Sequence, residues 1–143
     1  MTRPMYETQI DRNNERRLAA KIEKHYGCIL QKMPMKLSLD FMAIRDGRAV
    51  AFIEARQRKI AMNTYDTYML SLYKAMQARS LTMTTGLPCF LAVQWSDKAG
   101  IAQLPPAHEH MHVEMGGTTR RDDPQDIEPM VHFDIANFKE LEL

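Results

Sequence analysis

The sequence predicts an α/β chain in the α+β sense, with a central mixed β-sheet flanked by helices. Three observations predict it. Near the N-terminus Leu18, Ile22 and Tyr26 recur every four residues, the period of a helix that buries one face. Two apolar runs, "KLSLDFMAI" and "AVAFIEA", flank "RDGR", and an Asp-Gly pair between such runs signals a β-hairpin. A later run, "PCFLAVQW", is almost continuously apolar, as expected of a strand covered on both faces. A helix on each face of a mixed sheet is the economical packing of these pieces.

The elements follow in order. The first helix starts at about Asn13, with Asp11 or Asn13 as N-cap, and stops at Tyr26 with Gly27 as C-cap. "CILQKMP" is short, apolar and ended by Pro34, which predicts a strand. The hairpin comes next. "IAMNTYDT" reads as a loop entering a second helix capped by Thr64 or Asp66. That helix carries Tyr68, Leu72, Met76 and Leu81 to about Thr84, and Gly86 and Pro88 end it. After the "PCFLAVQW" strand, "SDKAG" is a turn and "IAQL" a short returning strand. "PPAHEHMHVEM" is an edge strand or a loop, and "GGTTRRDDPQDIEP" has the glycine, proline and charge density of an exposed loop. "MVHFDI" predicts a last strand and "NFKELEL" a short amphipathic helix.

Composition narrows the class. A chain of 143 residues with 45% hydrophobic and 26% charged residues fits one ordered domain, 1–143, with its core over about 13–95 and an extension over 96–143. Basic and acidic residues nearly balance, for a net charge of +1. Bulk charge therefore gives no reason to expect nucleic-acid binding, and only a local basic patch could. No run approaches the roughly 20 apolar residues of a membrane span, and the polar start lacks the apolar centre of a signal peptide. Cys28 and Cys89, both in apolar runs, read as buried free thiols of an intracellular, cytoplasmic protein. The 12 methionines read as adaptable core filling.

The hairpin also carries charge where apolar strands should not. Asp40 lies on its first arm, and Glu54 and Arg56 lie on its second. Residues two apart on a strand share a face, so Glu54 and Arg56 project together. The turn at Asp46-Gly47 puts position 40 across from the early 50s, with twist or a bulge adjusting the register. Buried charges need a partner, an ion or a solvent-open cleft. Two carboxylates at one sheet edge suit a hard divalent ion such as Mg²⁺, which activates water and neutralises charge on a phosphodiester. The structural alternative is cross-strand pairing of Asp40 and Glu54 with Arg56 and Arg45. "ARQRK" supplies Arg56, Gln57, Arg58 and Lys59 for a basic rim, with Tyr65 and Tyr68 just downstream to stack on or contact a DNA backbone. His108, His110 and His112 alternate, but same-face residues of a single strand diverge, so a solvated edge strand is the preferred reading over a metal site.

"LDFMAI" and "FIEARQR", in the order helix, hairpin, helix, strand, resemble the PD-(D/E)XK nuclease superfamily, whose hairpin holds an Asp and then an (Asp/Glu)-X-Lys. Glu15 in "NNERRLAAKI" stands where many members have a first-helix Glu. "YDTYMLSLYKAMQARSLTMTTGLPCFLAVQW" looks like the helix–strand pair of resolvase-like members, and small phage-encoded proteins are the most similar type. The resemblance covers a little over half the chain. It implies a restriction-endonuclease-like core, DNA as partner, Mg²⁺ or Mn²⁺ as cofactor, host-cell cytoplasm as the place of action and a homodimer. It also implies that Asp40, Glu54, the carbonyl of Ala55 and Glu15 hold the ion. One departure matters: Arg56 replaces the lysine of the motif. Arginine stays protonated and cannot act as a general base, so Arg56 is expected to engage phosphate or water, with Lys74 on the second helix as the reserve cation. The resemblance thus carries two readings: a metal-dependent DNA endonuclease, or an inactive relative kept as a DNA-binding or phage structural or assembly module.

Overall fold

The computed structural model describes residues 9–34, 39–107, 110–117 and 127–141. Helix α1 (Gln9–Tyr26) turns Leu18, Ala19 and Ile22 inward. It already includes Asp11 and Asn13, so neither is an N-cap, and Glu15 lies beyond the first turn. Gly27 ends it as expected, at φ 63°, with its N–H donating to the Glu23 carbonyl at 2.9 Å.

Strands β1 (Ile29–Lys32), β2 (Phe41–Arg45) and β3 (Arg48–Gln57) form an antiparallel meander. Asp46 and Gly47 both have positive φ, 53° and 75°, which is what a two-residue type I′ turn requires. The hairpin ladder then shifts by one between Ala43 and Ile44: Ile44 pairs with Ala49, but Ala43 pairs with Ala51, leaving Val50 as an extra residue. The shift ends the ladder at Phe41↔Ile53. Asp40 follows one step further out, on the Glu54 side, instead of facing Ile53 as an unbulged hairpin would have it.

β5 (Cys89–Gln94) runs parallel to β3, and β6 (Ala99–Gln103) returns antiparallel to β5. The six-stranded sheet has the order β1-β2-β3-β5-β6-β9, where β9 is Lys139–Glu140, mixed as expected. Leu18, Ala19 and Ile22 of α1 pack over one face, with Phe41, Ile53, Ala92 and Ile101. Ala75 and Ala78 of helix α2 (Leu72–Thr85) cover the other, with Phe52, Leu91 and Val93.

Two expectations are corrected. The second helix does not begin at Thr64 or Asp66. Thr67–Ser71 is strand β4, paired antiparallel with β8 (Ile127–Asp134). Helix α2 runs over Leu72–Thr85. Ser71 is its N-cap, its hydroxyl accepting the Lys74 N–H, and Gly86, at φ 76°, is its C-cap. Tyr68 and Leu72 have helix-compatible spacing, but the β8 strand pairs with residues 67–71 and makes the alternation of Tyr68 and Leu70 a buried one. Likewise the described part of "NFKELEL", residues 137–141, does not form the expected helix: a 3-10 turn at Ile135–Asn137 leads into β9 (Lys139–Glu140), which pairs with the edge of β6. β7 (His112–Gly117) completes a three-stranded sheet, β4-β8-β7. The centre of the "GGTTRRDDPQDIEP" segment lies outside the described residues. Among those described, no helix is long and apolar enough to cross a membrane.

Candidate active site

The site lies where β2 begins and β3 ends. Asp40 is held by the hairpin itself: its Oδ2 accepts the Ala55 N–H at 2.9 Å, a backbone donor just beyond the last ladder pair. Glu54, only 3% exposed, points to the α2 side of the sheet with Phe52 and Arg56. Arg56 Nε donates to Glu54 Oε2 at 2.8 Å, and its terminal nitrogen lies 2.7 Å from the same oxygen. Lys74, from the first turn of α2, stands 3.7 Å from Oε1.

That leaves an unusual atom. Among the described residues, Glu54 Oε1 is the buried side-chain oxygen or nitrogen without a hydrogen-bond partner. Burial pushes the Glu54 carboxyl above its usual range, with help from Asp40 and against the pull of Arg56 and Lys74. Burial also works against the Arg56 charge, but Glu54 outweighs it, and the guanidinium stays protonated throughout the accessible pH range.

Glu15 reaches the site through a residue that sequence reasoning missed. Lys32, the last residue of β1, lies 2.6 Å from Glu15 Oε1 and 3.3 Å from Asp40 Oδ1. Its register partner is Phe41, so edge pairing sets it beside Asp40. Burial lowers the Lys32 pKa, yet the hydrogen bond it donates to Glu15 and the fields of Asp40 and Glu15 more than reverse this. Nothing in "CILQKMP" marks Lys32 as chemical; only the pairing of β1 with β2 does. Gln57 fastens α1 to the same end of the sheet, donating from Nε2 to the Asn14 carbonyl at 3.0 Å.

The expected pairing of the acids with Arg56 and Arg45 is borne out only for Arg56, and along one strand instead of across strands. Arg56 pairs with Glu54, but Arg45 donates instead to the Tyr26 carbonyl at 2.6 Å. Of the expected rim, Gln57, Arg58, Lys59 and Tyr65 are exposed. Tyr68 is not. It is 5% exposed, packed edge-on against Trp95 and Phe138, with Arg58 over its ring at 4.8 Å. Its ring is therefore not offered to a nucleic acid, because β4 turns it into the core. Of the histidines, His108 lies outside the described residues. His112 is on the edge strand β7, as expected, 3.0 Å from Glu114.

The donors suit a hard divalent ion. The carboxylates of Asp40 and Glu54 lie at the same end of the sheet, close enough to interact, and Glu54 Oε1, buried without a hydrogen bond, is the kind of atom such an ion satisfies. As the side chains stand, no three His, Cys, Asp or Glu among the described residues form a group that could hold an ion. The carboxylates are instead engaged by Lys32 and Arg56.

The family model described as "Phage putative PDDEXK endonuclease" matches residues 1–141. The chain belongs to this family. Among solved structures, this PDDEXK-family chain is similar to Hjc of Archaeoglobus fulgidus, described as a Holliday junction resolvase from an archaeal hyperthermophile. The TM-score is 0.63 at 16% identity, over 91% of this chain and 90% of that one. At that identity the likeness is one of fold. No curated protein sequence matches the chain. Fold and family together make this PDDEXK protein nuclease-like, with the restriction-endonuclease-like core the hairpin motif implied.

Proposed function

We propose that this PDDEXK-family protein is a metal-dependent DNA endonuclease that hydrolyses phosphodiester bonds. The observation that carries the reading is the buried Oε1 of Glu54, which makes no hydrogen bond and lies within the field of Asp40, in a family described as endonucleases. Mg²⁺ or Mn²⁺, held by Asp40, Glu54, the Ala55 carbonyl and Glu15, would activate water and offset charge developing on the phosphate. Asp40 and Glu54 anchor that set on the rigid hairpin. Arg56 cannot take a proton; its role is to engage a phosphate oxygen or the attacking water, with Lys74 as a second cation next to Glu54. Gln57, Arg58, Lys59 and Tyr65 form the rim that meets the DNA backbone, giving salt-dependent affinity. A homodimer acting in the host cytoplasm would place one such site against each strand.

One observation favours a second reading. Arg56 stands in the lysine position and is tied to Glu54, which suits an inactive fold kept for DNA binding or assembly. Cleavage separates the two. Supercoiled plasmid, short duplexes and a four-way junction are incubated with Mg²⁺ or Mn²⁺, wild type beside Glu54→Ala. The junction is included because the structural neighbour is a Holliday junction resolvase. Metal-dependent cutting that vanishes in the variant supports the enzyme. If wild type cuts nothing, while alanine at both Asp40 and Glu54 tightens DNA binding, the silent module is the answer.

A further inference from the structure

The acid cluster holds a cation of its own. Lys32 comes from β1, outside the hairpin, yet its ammonium bridges Glu15 Oε1 and Asp40 Oδ1 at 2.6 and 3.3 Å. These are oxygens of two of the proposed ion ligands. Asp40 has little else to offer, since its Oδ2 accepts the Ala55 N–H. Arg56 sits differently. Both of its contacts fall on Glu54 Oε2, so Oε1 makes no hydrogen bond; the Lys74 ammonium stands 3.7 Å from it, too long for a hydrogen bond, and an ion can reach Glu54 with Arg56 in place. It cannot reach Asp40 Oδ1 and Glu15 without meeting the Lys32 ammonium, a like charge a few ångströms away competing for the same lone pairs.

We propose that Lys32 is an internal counter-ion occupying the place of the divalent ion, so that ion binding is an exchange in which the Lys32 ammonium is expelled from Glu15 and Asp40. The inference rests on the metal-dependent reading of the site. The position is built to work in both states. Without an ion, the Lys32 ammonium offsets the charges of the Glu15 and Asp40 carboxylates. When the ion arrives, Lys32 can leave without unpacking anything. Its side chain is 36% exposed, it stands on an edge strand, and its ammonium rests 5.4 Å from the Phe41 ring centre at the border of the core. A long aliphatic stem lets the charged end swing into water while the methylenes stay packed. Affinity for the ion is then set lower than the donor oxygens alone would give.

The test is a Mn²⁺ titration of the full chain at fixed pH without DNA, read by loss of the free-ion paramagnetic resonance signal. Wild type is compared with Lys32→Met, Lys32→Gln, Lys32→Arg and Asp40→Asn. The exchange predicts that Lys32→Met and Lys32→Gln bind Mn²⁺ about tenfold more tightly than wild type, the effect of removing one opposing charge from the site. Lys32→Arg, which keeps the charge, stays near wild type, and Asp40→Asn loses binding. If Lys32→Met is unstable without the ion, Mn²⁺ should raise its melting temperature by more than it raises that of wild type. Equal or weaker binding in both neutral variants overturns the exchange while leaving the metal site standing. Absence of saturable Mn²⁺ binding in every variant overturns the metal-dependent reading and the exchange with it.

Discussion

The carboxylate of Asp40 accepts the backbone N–H of Ala55 at 2.9 Å, from one arm of the hairpin to the other. The bond stands one step beyond the last ladder pair, Phe41↔Ile53, and makes Asp40 part of the hairpin's framework as well as a candidate ligand. Asp40→Ala should therefore cost about 1–2 kcal/mol of stability, because a partly buried N–H loses its acceptor. Asp40→Asn keeps an acceptor oxygen and should cost less, while losing the ion equally well. Urea denaturation of both variants decides it. Equal stabilities would mean that the Ala55 bond holds nothing.

The Glu54–Arg56 pair is the next test. Glu54 is nearly fully buried and Arg56 partly exposed, with side-chain exposures of 4% and 39%. Removing Arg56 leaves a buried carboxylate with Lys74 at 3.7 Å as its near cation. A fully buried pair broken on one side costs roughly 3–5 kcal/mol. Solvent at Arg56 reduces that, so Arg56→Ala should lose about 1–2 kcal/mol. Adding Glu54→Gln to Arg56→Ala should recover part of the loss, and a double-mutant cycle measures the coupling. Strictly additive effects would contradict the pairing.

Glu23 sets a pH dependence. Its carboxylate accepts the Leu30 N–H at 2.8 Å and pairs with Arg16. Partial burial raises its pKa, but the Leu30 bond and Arg16 outweigh this and hold it below the usual value. A depressed folded pKa means that the stabilisation is complete above the unfolded glutamate pKa of about 4.3 and fades as pH falls through the lower folded value. Glu23→Gln should lose up to about 1 kcal/mol at neutral pH and show a flatter loss of stability below about pH 4. Urea midpoints followed from neutral pH down into acid would refute this if wild type and variant fell in parallel.

The two free thiols should differ in reactivity. Cys89 is buried, with its Sγ 3.5 Å from the Ala78 carbonyl and 3.4 Å from the Thr82 hydroxyl. Cys28 is only partly buried. Burial raises both thiol pKa values, so thiolate is scarce at each. With iodoacetamide under native conditions, Cys28 should label slowly and Cys89 only after unfolding. Mass spectrometry of the labelled peptides checks the order, and labelling of both at one rate would count against the packing around Cys89.

How much of this was legible beforehand varies by element, for physical reasons. The α1 face, the Asp46-Gly47 turn, the Gly27 and Gly86 helix stops and the β5 strand could all be read from the chain. Each depends on interactions within a few residues: a helical period, a left-handed backbone position, an unbroken apolar run. The pairing of Glu54 with Arg56 was legible too, since a strand's period of two places them together.

What the sequence by itself determined is the hairpin and its charges: Asp40, Glu54 and Arg56 on two arms that must meet. The tertiary structure decided how they meet. Val50 bulges, and that one-residue shift puts Asp40 on the Glu54 side, a choice no local rule makes because either register satisfies the turn. Residues 67–71 form a strand because β8 pairs with them, Thr67 to Asp134, across most of the remaining chain. Tyr68 thereby leaves the proposed DNA surface for the core. Lys32 enters the acid cluster because β1 lies beside β2. Those outcomes depend on partners distant in sequence, whose pairing energy exists only once the chain has folded.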